Sequence, residues 1–257
     1  MEASRGRVAW PAVAAAVAGF LAEAVVAAVP GSPLQPILAP GAEPSGPFVW
    51  IAETIGLDRL GAALPVASVL GIAAGTVGFL VLLRAAWRGE ITMWLALGLS
   101  VAFHLAIVLL PLLISRDVYS YIAHGQIVSL HHANPYVQTP ADFPSYLTRE
   151  LVGPKWVDTP SVYGPLFSHL AGVVTRISTR LDVLADAFRL IAIGASLATT
   201  FAIGAVARRV RPSRAAFAVA AFGVNPVVLF HSAASATRRS LWAIARSGRS
   251  GSSRAER

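Results

Sequence analysis

The sequence contains no cysteine and a single lysine, Lys155. The lack of cysteine excludes a disulfide framework and thiolate chemistry. Charge is scarce as well, since 13% of the 257 residues are charged, where a soluble domain carries about 25%. In contrast, 55% of the residues are hydrophobic and the mean hydropathy is +0.63. These proportions predict a polytopic membrane protein.

The net charge of +8 comes almost entirely from arginine, and the arginines cluster at the ends of apolar runs. Membrane topology explains such a distribution, because arginine is enriched on the cytoplasmic side of membrane proteins. The glycine fingerprints of P-loop and dinucleotide-binding proteins are absent. We therefore expect the lipid bilayer to be a partner of this protein and expect no nucleic acid partner.

The apolar runs predict an all-α fold with about five transmembrane helices, plus helices that lie on the outer surface or re-enter the membrane. A spanning helix needs about 20 apolar residues, and the candidate runs cover roughly 8–29, 62–83, 91–114, 183–207 and 215–230. Glu23 interrupts the first run. We expect Glu23 to lie near the outer interface and to reach water, although a carboxylate within a span is also a candidate functional site.

The apolar run at 164–177 is too short to span and decides the topology. If it stays on the outer surface or re-enters the membrane, all the arginine clusters fall on one side: Arg5, Arg7, Arg84, Arg88 and 208–211. An excess of arginine marks that side as cytoplasmic. We therefore expect a multi-pass protein of the cell membrane with a cytoplasmic N-terminus and an extracytoplasmic loop at 115–163.

The sequence divides into a transmembrane part, 1–231, and a tail, 232–257. The tail is rich in serine and arginine. In the expected topology it would lie outside, against the preference of positive charge for the cytoplasm. We expect the tail to be disordered or to result from a shifted reading frame.

Arg116 and Asp117 stand where the third apolar run ends, at the boundary between hydrocarbon and water. The residues that follow, 118–130, have apolar side chains at helical spacing and predict an amphipathic helix on the membrane surface. A carboxylate in this position suits chemistry on a lipid-linked substrate. The alternative is that Asp117 only caps the helix and Arg116 only marks the membrane boundary.

His124, His131 and His132 are candidate metal ligands in this loop. Their spacing does not match a helical two-histidine pattern, and no carboxylate is placed to complete a ligand set. These residues therefore predict no metal site. Whether the protein uses a divalent cation as a cofactor stays open.

Four motifs occur in order: Ser115-Arg116-Asp117-Val118-Tyr119-Ser120-Tyr121, Gly125-Gln126, Asn134-Pro135-Tyr136 and Pro160-Ser161-Val162-Tyr163-Gly164-Pro165-Leu166. With the apolar pattern of roughly 91–230, they resemble the bacterial polyprenol-phosphate-mannose-dependent alpha-1,6-mannosyltransferases of the GT-C glycosyltransferase superfamily. The resemblance implies a GT-C-like membrane fold. It also implies an inverting enzyme that moves mannose from a polyprenyl-phosphate donor to a cell-envelope glycan or glycolipid.

The resemblance also assigns roles to individual residues. Asp117 occupies the position of the family's acidic residue in the first large outer loop, and would deprotonate or orient the acceptor hydroxyl. The segment at 163–166 would re-enter the membrane near the lipid site, and Arg189 would counter the donor phosphate. The residues implied in substrate binding are Arg116, Tyr119, Tyr121, Gln126, Asn134, Tyr136, Tyr163 and Arg189.

The resemblance stops after Asn225-Pro226, where the family continues with further spans. Two alternatives therefore stand beside the active enzyme. One is an inactive, C-terminally truncated fragment of such an enzyme, and the other is a non-enzymatic transporter or flippase-like protein. Transporters place ionisable residues at the membrane midplane, whereas here most polar residues lie in the predicted outer loop.

Overall fold

The computed structural model describes residues 8–36, 44–111 and 113–233, and every regular element within these ranges is helical. The all-α prediction is confirmed. Short 3-10 or π-helical turns cover Leu57–Ala63, Pro140–Asp142, Leu147–Leu151, Pro212–Arg214 and Val227–Ala233. The α-helices of the described part are α1 (Trp10–Ala28), α2 (Pro47–Thr54), α3 (Leu64–Trp87), α4 (Met93–Ile107), α5 (Asp117–Ser129), α6 (Pro154–Val157), α7 (Pro165–Val174), α8 (Leu181–Val210) and α9 (Ala215–Gly223).

Four helical segments of the described chain are long and apolar enough to cross a membrane: Trp10–Ala28, Leu57–Trp87, Leu181–Val210 and Pro212–His231. They correspond to four of the five predicted spans. The helices α4 and α7 are apolar but shorter, with 15 and 10 residues. The short α7 matches the expectation that this segment does not span. The tail beyond residue 233 lies outside the described residues.

The third predicted span, 91–114, is shorter than expected, because α4 ends at Ile107. Pro111 lacks an amide hydrogen and cannot continue the helical bonding pattern. The carbonyls freed at this point are satisfied by Arg189 of α8, which is 2% exposed. Its guanidinium donates to the carbonyl oxygens of Val108 (3.2 Å), Leu110 (2.9 Å) and Pro111 (3.0 Å).

One end of the helical bundle gathers the arginine-rich helix ends. The amide of Ala9, before α1, donates to the Glu90 carbonyl at 3.2 Å. The Arg208 guanidinium lies 5.6 Å from the Trp94 ring, and the Arg214 guanidinium stacks on Trp87. This is the arrangement that the predicted topology requires, while the orientation in the membrane stays a prediction. The arginines at this end are Arg84, Arg88, Arg208, Arg209, Arg211 and Arg214.

Helices α1 and α3 pack backbone against backbone through glycines. A Cβ atom at Gly19 would overlap the Ala74 carbonyl oxygen, and one at Gly78 would overlap the Ala15 carbonyl oxygen. Apolar burial does not drive helices together in a membrane, so helix association there depends on close packing. Small residues at the interface allow the two backbones to approach closely. The close approach of these two helices therefore depends on the missing side chains of Gly19 and Gly78.

The predicted outer loop folds into a second core rather than lying open on a surface. It joins α5, α7 and the first turns of α8 through a cluster of buried apolar residues: Val118, Ile122, Leu147, Leu151, Ala171, Val174 and Leu184. Nine of the 13 residues of α5 are buried. A helix is present where the sequence predicts one, at 118–130. The prediction that it is amphipathic and lies on a surface is wrong, because most of its residues are buried.

Candidate functional site

Helix α5 carries Asp117, Tyr121 and His124 at positions i, i+4 and i+7, so their side chains share one face of the helix. Tyr163, which precedes α7, lies over this face. Its ring packs edge-on against Tyr121 with centroids 5.2 Å apart, and its centroid is 6.3 Å from that of the His124 ring. The structure therefore brings three predicted site residues, Asp117, Tyr121 and Tyr163, into one cluster.

Asp117 is the first residue of α5, with Arg116 in the N-cap position. The Ser115 hydroxyl accepts a hydrogen bond from the Asp117 amide at 3.1 Å. The alternative in which Asp117 is the helix cap is therefore wrong in this structure. A negative charge in the first turn is favoured by the helix dipole. The Asp117 carboxylate is half-buried, and its charge acts on both Tyr121 and Tyr163.

The side chains of Tyr121 and Tyr163 interact with each other, and the charge of Asp117 acts on both. Burial raises the pKa of Tyr121 above its ordinary value of 10, and the Asp117 carboxylate raises it further, while the interaction with Tyr163 lowers it. Burial likewise raises the pKa of Tyr163, and the charges of Tyr121 and Asp117 add to this effect. Both hydroxyls are therefore neutral at pH 7 and can donate hydrogen bonds.

Aromatic rings surround the tyrosine pair. Phe167 of α7 lies 5.1 Å from Tyr121 and 4.9 Å from Tyr163, measured between ring centroids. Phe188 of α8 lies 5.8 Å from Tyr121. Binding sites for small molecules are commonly lined by apolar and aromatic side chains and contain a few polar groups that fix the orientation of the ligand. The carboxylate and two hydroxyls of this cluster provide those polar groups.

The third motif holds the fourth motif in place. The Ser161 amide donates to the Pro135 carbonyl at 2.7 Å, and the Tyr136 hydroxyl donates to the Tyr163 carbonyl at 3.0 Å. The Asn134 side chain accepts from the Tyr136 amide at 3.0 Å and shapes the turn. Asn134 and Tyr136 therefore position the Tyr163 segment, and their predicted contact with substrate stays a prediction.

His124, which the sequence indicated only as a candidate metal ligand, lies beside this cluster. Its ring is 2% exposed. Nδ1 lies 2.8 Å from the Ser120 carbonyl oxygen and Nε2 lies 3.2 Å from the Thr159 carbonyl oxygen. The ring thus ties α5 to the segment that leads to Tyr163. Its spacing of seven residues from Asp117 was the signal in the sequence for a shared helix face.

Comparison with known proteins identifies the family. Residues 13–242 match the family model described as alpha-(1->6)-mannopyranosyltransferase, N-terminal domain. The chain belongs to this family. It is also 32% identical over 122 residues to alpha-(1->6)-mannopyranosyltransferase A of Mycobacterium tuberculosis, an alignment that covers 46% of this chain and 23% of the relative. No solved structure matches the chain.

The remaining predicted site residues of this mannosyltransferase-family chain lie around the cluster. Tyr119 is buried in the second core, and Gln126 is half-buried near the end of α5. Arg116 extends towards Gly153, where a Cβ atom would lie 3.8 Å from its Nε. Arg189 donates to backbone carbonyls beside α4, so its contact with a phosphate stays a prediction.

The described ranges contain no group of three or more His, Asp or Glu side chains close enough to hold a metal ion. His131 stacks on Phe143 with centroids 4.0 Å apart, and His132 is exposed. These histidines do not converge on a common point with His124, whose nitrogens face carbonyl oxygens.

Proposed function

We propose that the protein transfers mannose from a polyprenyl-phosphate donor to a glycan or glycolipid acceptor at the outer face of the cell membrane, with Asp117 as general base. The observation that carries this proposal is the Asp117 carboxylate beside the Tyr121 and Tyr163 hydroxyls, in a member of a mannosyltransferase family. The chain spans 23% of the length of its curated relative. That this chain has the activity for which its relative is named is therefore part of the proposal.

The proposed reaction is a single displacement. An acceptor hydroxyl attacks the anomeric carbon of mannose, its proton passes to the Asp117 carboxylate, and the bond between that carbon and the phosphate oxygen breaks. The configuration inverts, and polyprenyl phosphate leaves with the bonding electrons. A positioned base of this kind accelerates proton transfer by about a hundred- to ten-thousandfold.

The neutral hydroxyls of Tyr121 and Tyr163 are suited to hold sugar hydroxyls next to the carboxylate. Because the Tyr163 segment is fixed by Asn134-Pro135-Tyr136 and by His124, little reorganisation is needed when a sugar binds. Fixed donors of this type stabilise developing charge better than water does. The cluster thus supports acceptor positioning rather than transport through the bundle.

The leaving phosphate needs a positive charge nearby. Arg116 directly precedes Asp117 and stands where α4 and the following turn give way to α5. A guanidinium presents a planar fork of donors that matches phosphate geometry. Arg116 is therefore the residue that we assign to the donor phosphate, with Arg189 as a more deeply buried second cation.

The test is a transfer assay with the purified protein in lipid vesicles, using polyprenyl-phosphate mannose and nucleotide-linked mannose as alternative donors. We expect mannose to reach a mannan or glycolipid acceptor from the lipid-linked donor alone. Transfer from the nucleotide donor alone would refute the proposed substrate class. No transfer from either donor, by protein that elutes as a folded species, would favour the inactive fragment.

A further inference from the structure

Glu23 lies inside the membrane bundle, away from the candidate site. It belongs to α1, five residues and about 7.5 Å of helix rise before the helix ends at Ala28. The side chain is 5% exposed. The expectation that Glu23 reaches water at the outer interface is therefore wrong. A buried carboxyl group within a span needs a physical explanation, because such groups are rare and functional by default.

Helix α3 makes room for this carboxyl group. A Cβ atom at Gly75 would overlap Oε2 of Glu23, and one at Gly71 would lie 3.4 Å from the Glu23 Cα. A Cβ atom at position 75 would therefore force the carboxyl group to move. The missing side chain of Gly75 provides the space that the carboxyl group occupies.

The surroundings of the carboxyl group are apolar. Glu23 borders a cavity of about 10 Å³ whose wall includes Phe20, Phe79, Phe103 and Phe230. Among the described residues that line this cavity, Glu23 alone carries an ionisable group. Oε2 is buried and has no hydrogen-bond partner in the described structure. No positive charge on the described wall of the cavity balances an ionised carboxylate.

The nearest ionisable side chain of the neighbouring helix α4 is engaged elsewhere. His104 is buried, with Nδ1 2.7 Å from the Ser100 carbonyl oxygen and Nε2 2.8 Å from the Ser196 hydroxyl. An ionised carboxylate in such a setting would lose its hydration without compensation, whereas the neutral acid loses far less. The geometry favours the acid form.

We propose that Glu23 is an intramembrane proton-binding site, a neutral carboxylic acid enclosed by α1, α3 and the apolar cavity. The site is separate from the Asp117 cluster, which belongs to the second core. A neutral acid in an apolar environment reacts with apolar carbodiimides. The acid adds across one carbon–nitrogen double bond, its proton goes to nitrogen, and the O-acylisourea rearranges to a stable N-acylurea without a leaving group.

The test compares dicyclohexylcarbodiimide with a water-soluble carbodiimide on the full-length protein in lipid nanodiscs at pH 7, with adducts located by peptide mass spectrometry. Glu53, an exposed carboxylate at the end of α2, is the matched control. Because burial favours the neutral acid, we expect the apolar reagent to label Glu23 about tenfold or more over Glu53. The water-soluble reagent should show the reverse preference.

The variant Glu23→Gln should lose the adduct and also the infrared carbonyl stretch of a protonated carboxylic acid, while it elutes from gel filtration like the parent. The infrared band reports on Glu23 even if the reagent cannot enter the bundle. The proposal is overturned if the parent protein lacks this band. It is equally overturned if the water-soluble reagent labels Glu23 as well as Glu53, since Glu23 would then be in contact with water.

Discussion

Replacing Asp117 with asparagine is expected to lower the turnover number for mannose transfer by about a hundred- to ten-thousandfold. Asparagine keeps the size of the side chain but cannot accept the proton of the acceptor hydroxyl. The contacts of Tyr121 with Tyr163 and Phe167 do not involve Asp117 and should persist. The apparent affinity for the lipid donor should therefore change little.

The control for this variant is Glu150→Gln, which removes the same charge from an exposed position in the same loop. Turnover by this control should equal that of the parent. The thermal midpoints of both variants in detergent should match the parent, which separates a chemical role from a folding defect. Full turnover by Asp117→Asn would exclude Asp117 as the base and leave the cluster as a binding site.

Replacing Gly125 with alanine is expected to destabilise the second core. A Cβ atom at Gly125 would lie 2.6 Å from the Ala171 carbonyl oxygen and 2.8 Å from its carbonyl carbon, both backbone atoms of α7. The added methyl group must push α7 away from α5 and weaken the Ser129–Thr175 hydroxyl contact of 2.8 Å. Overpacking of this kind costs about 1–3 kcal/mol.

Gly194→Ala is the matched control, because Gly194 is also inside a helix and has nothing within 4 Å of a built Cβ atom. Alanine improves helix propensity at both positions by about 1 kcal/mol, so the difference between the variants isolates the contact with α7. We expect the midpoint of thermal unfolding in detergent to fall for Gly125→Ala and to stay or rise for Gly194→Ala. Equal midpoints would show that α7 does not pack on Gly125.

The spans were predictable because hydropathy is a local property. The helices α1, α3 and α8 begin and end within a few residues of the predicted runs. The early end of α4 was not predictable, because it depends on Arg189, about 80 positions later in the chain, which takes up the carbonyls released near Pro111. Only the Pro111 ring was visible in the sequence as a sign of the break.

The residues of the candidate site were predictable from the sequence, but the contacts that hold them together were not. The motifs pointed to Asp117, Tyr121 and Tyr163, and their ordering could be recognised without coordinates. That Asn134-Pro135-Tyr136 supports the Tyr163 segment follows from hydrogen bonds between residues 26 or 27 positions apart, which no local pattern encodes. The burial of Glu23 likewise depends on Gly75, a glycine on another helix.

The lack of cysteine allows a direct measurement of where the proposed donor site lies. Val162 is 63% exposed beside Tyr163, so Val162→Cys would carry a single thiol next to the cluster, and Tyr146→Cys, at a 56% exposed position, would serve as the control in the same loop. The rate of labelling by a membrane-impermeant maleimide would be measured on intact cells, with and without polyprenyl-phosphate mannose. We expect both thiols to be labelled without permeabilisation, and the lipid donor to slow labelling at position 162 alone. Labelling of Val162→Cys only after permeabilisation, or at a rate that the donor does not change, would contradict an outer-face donor site at Asp117.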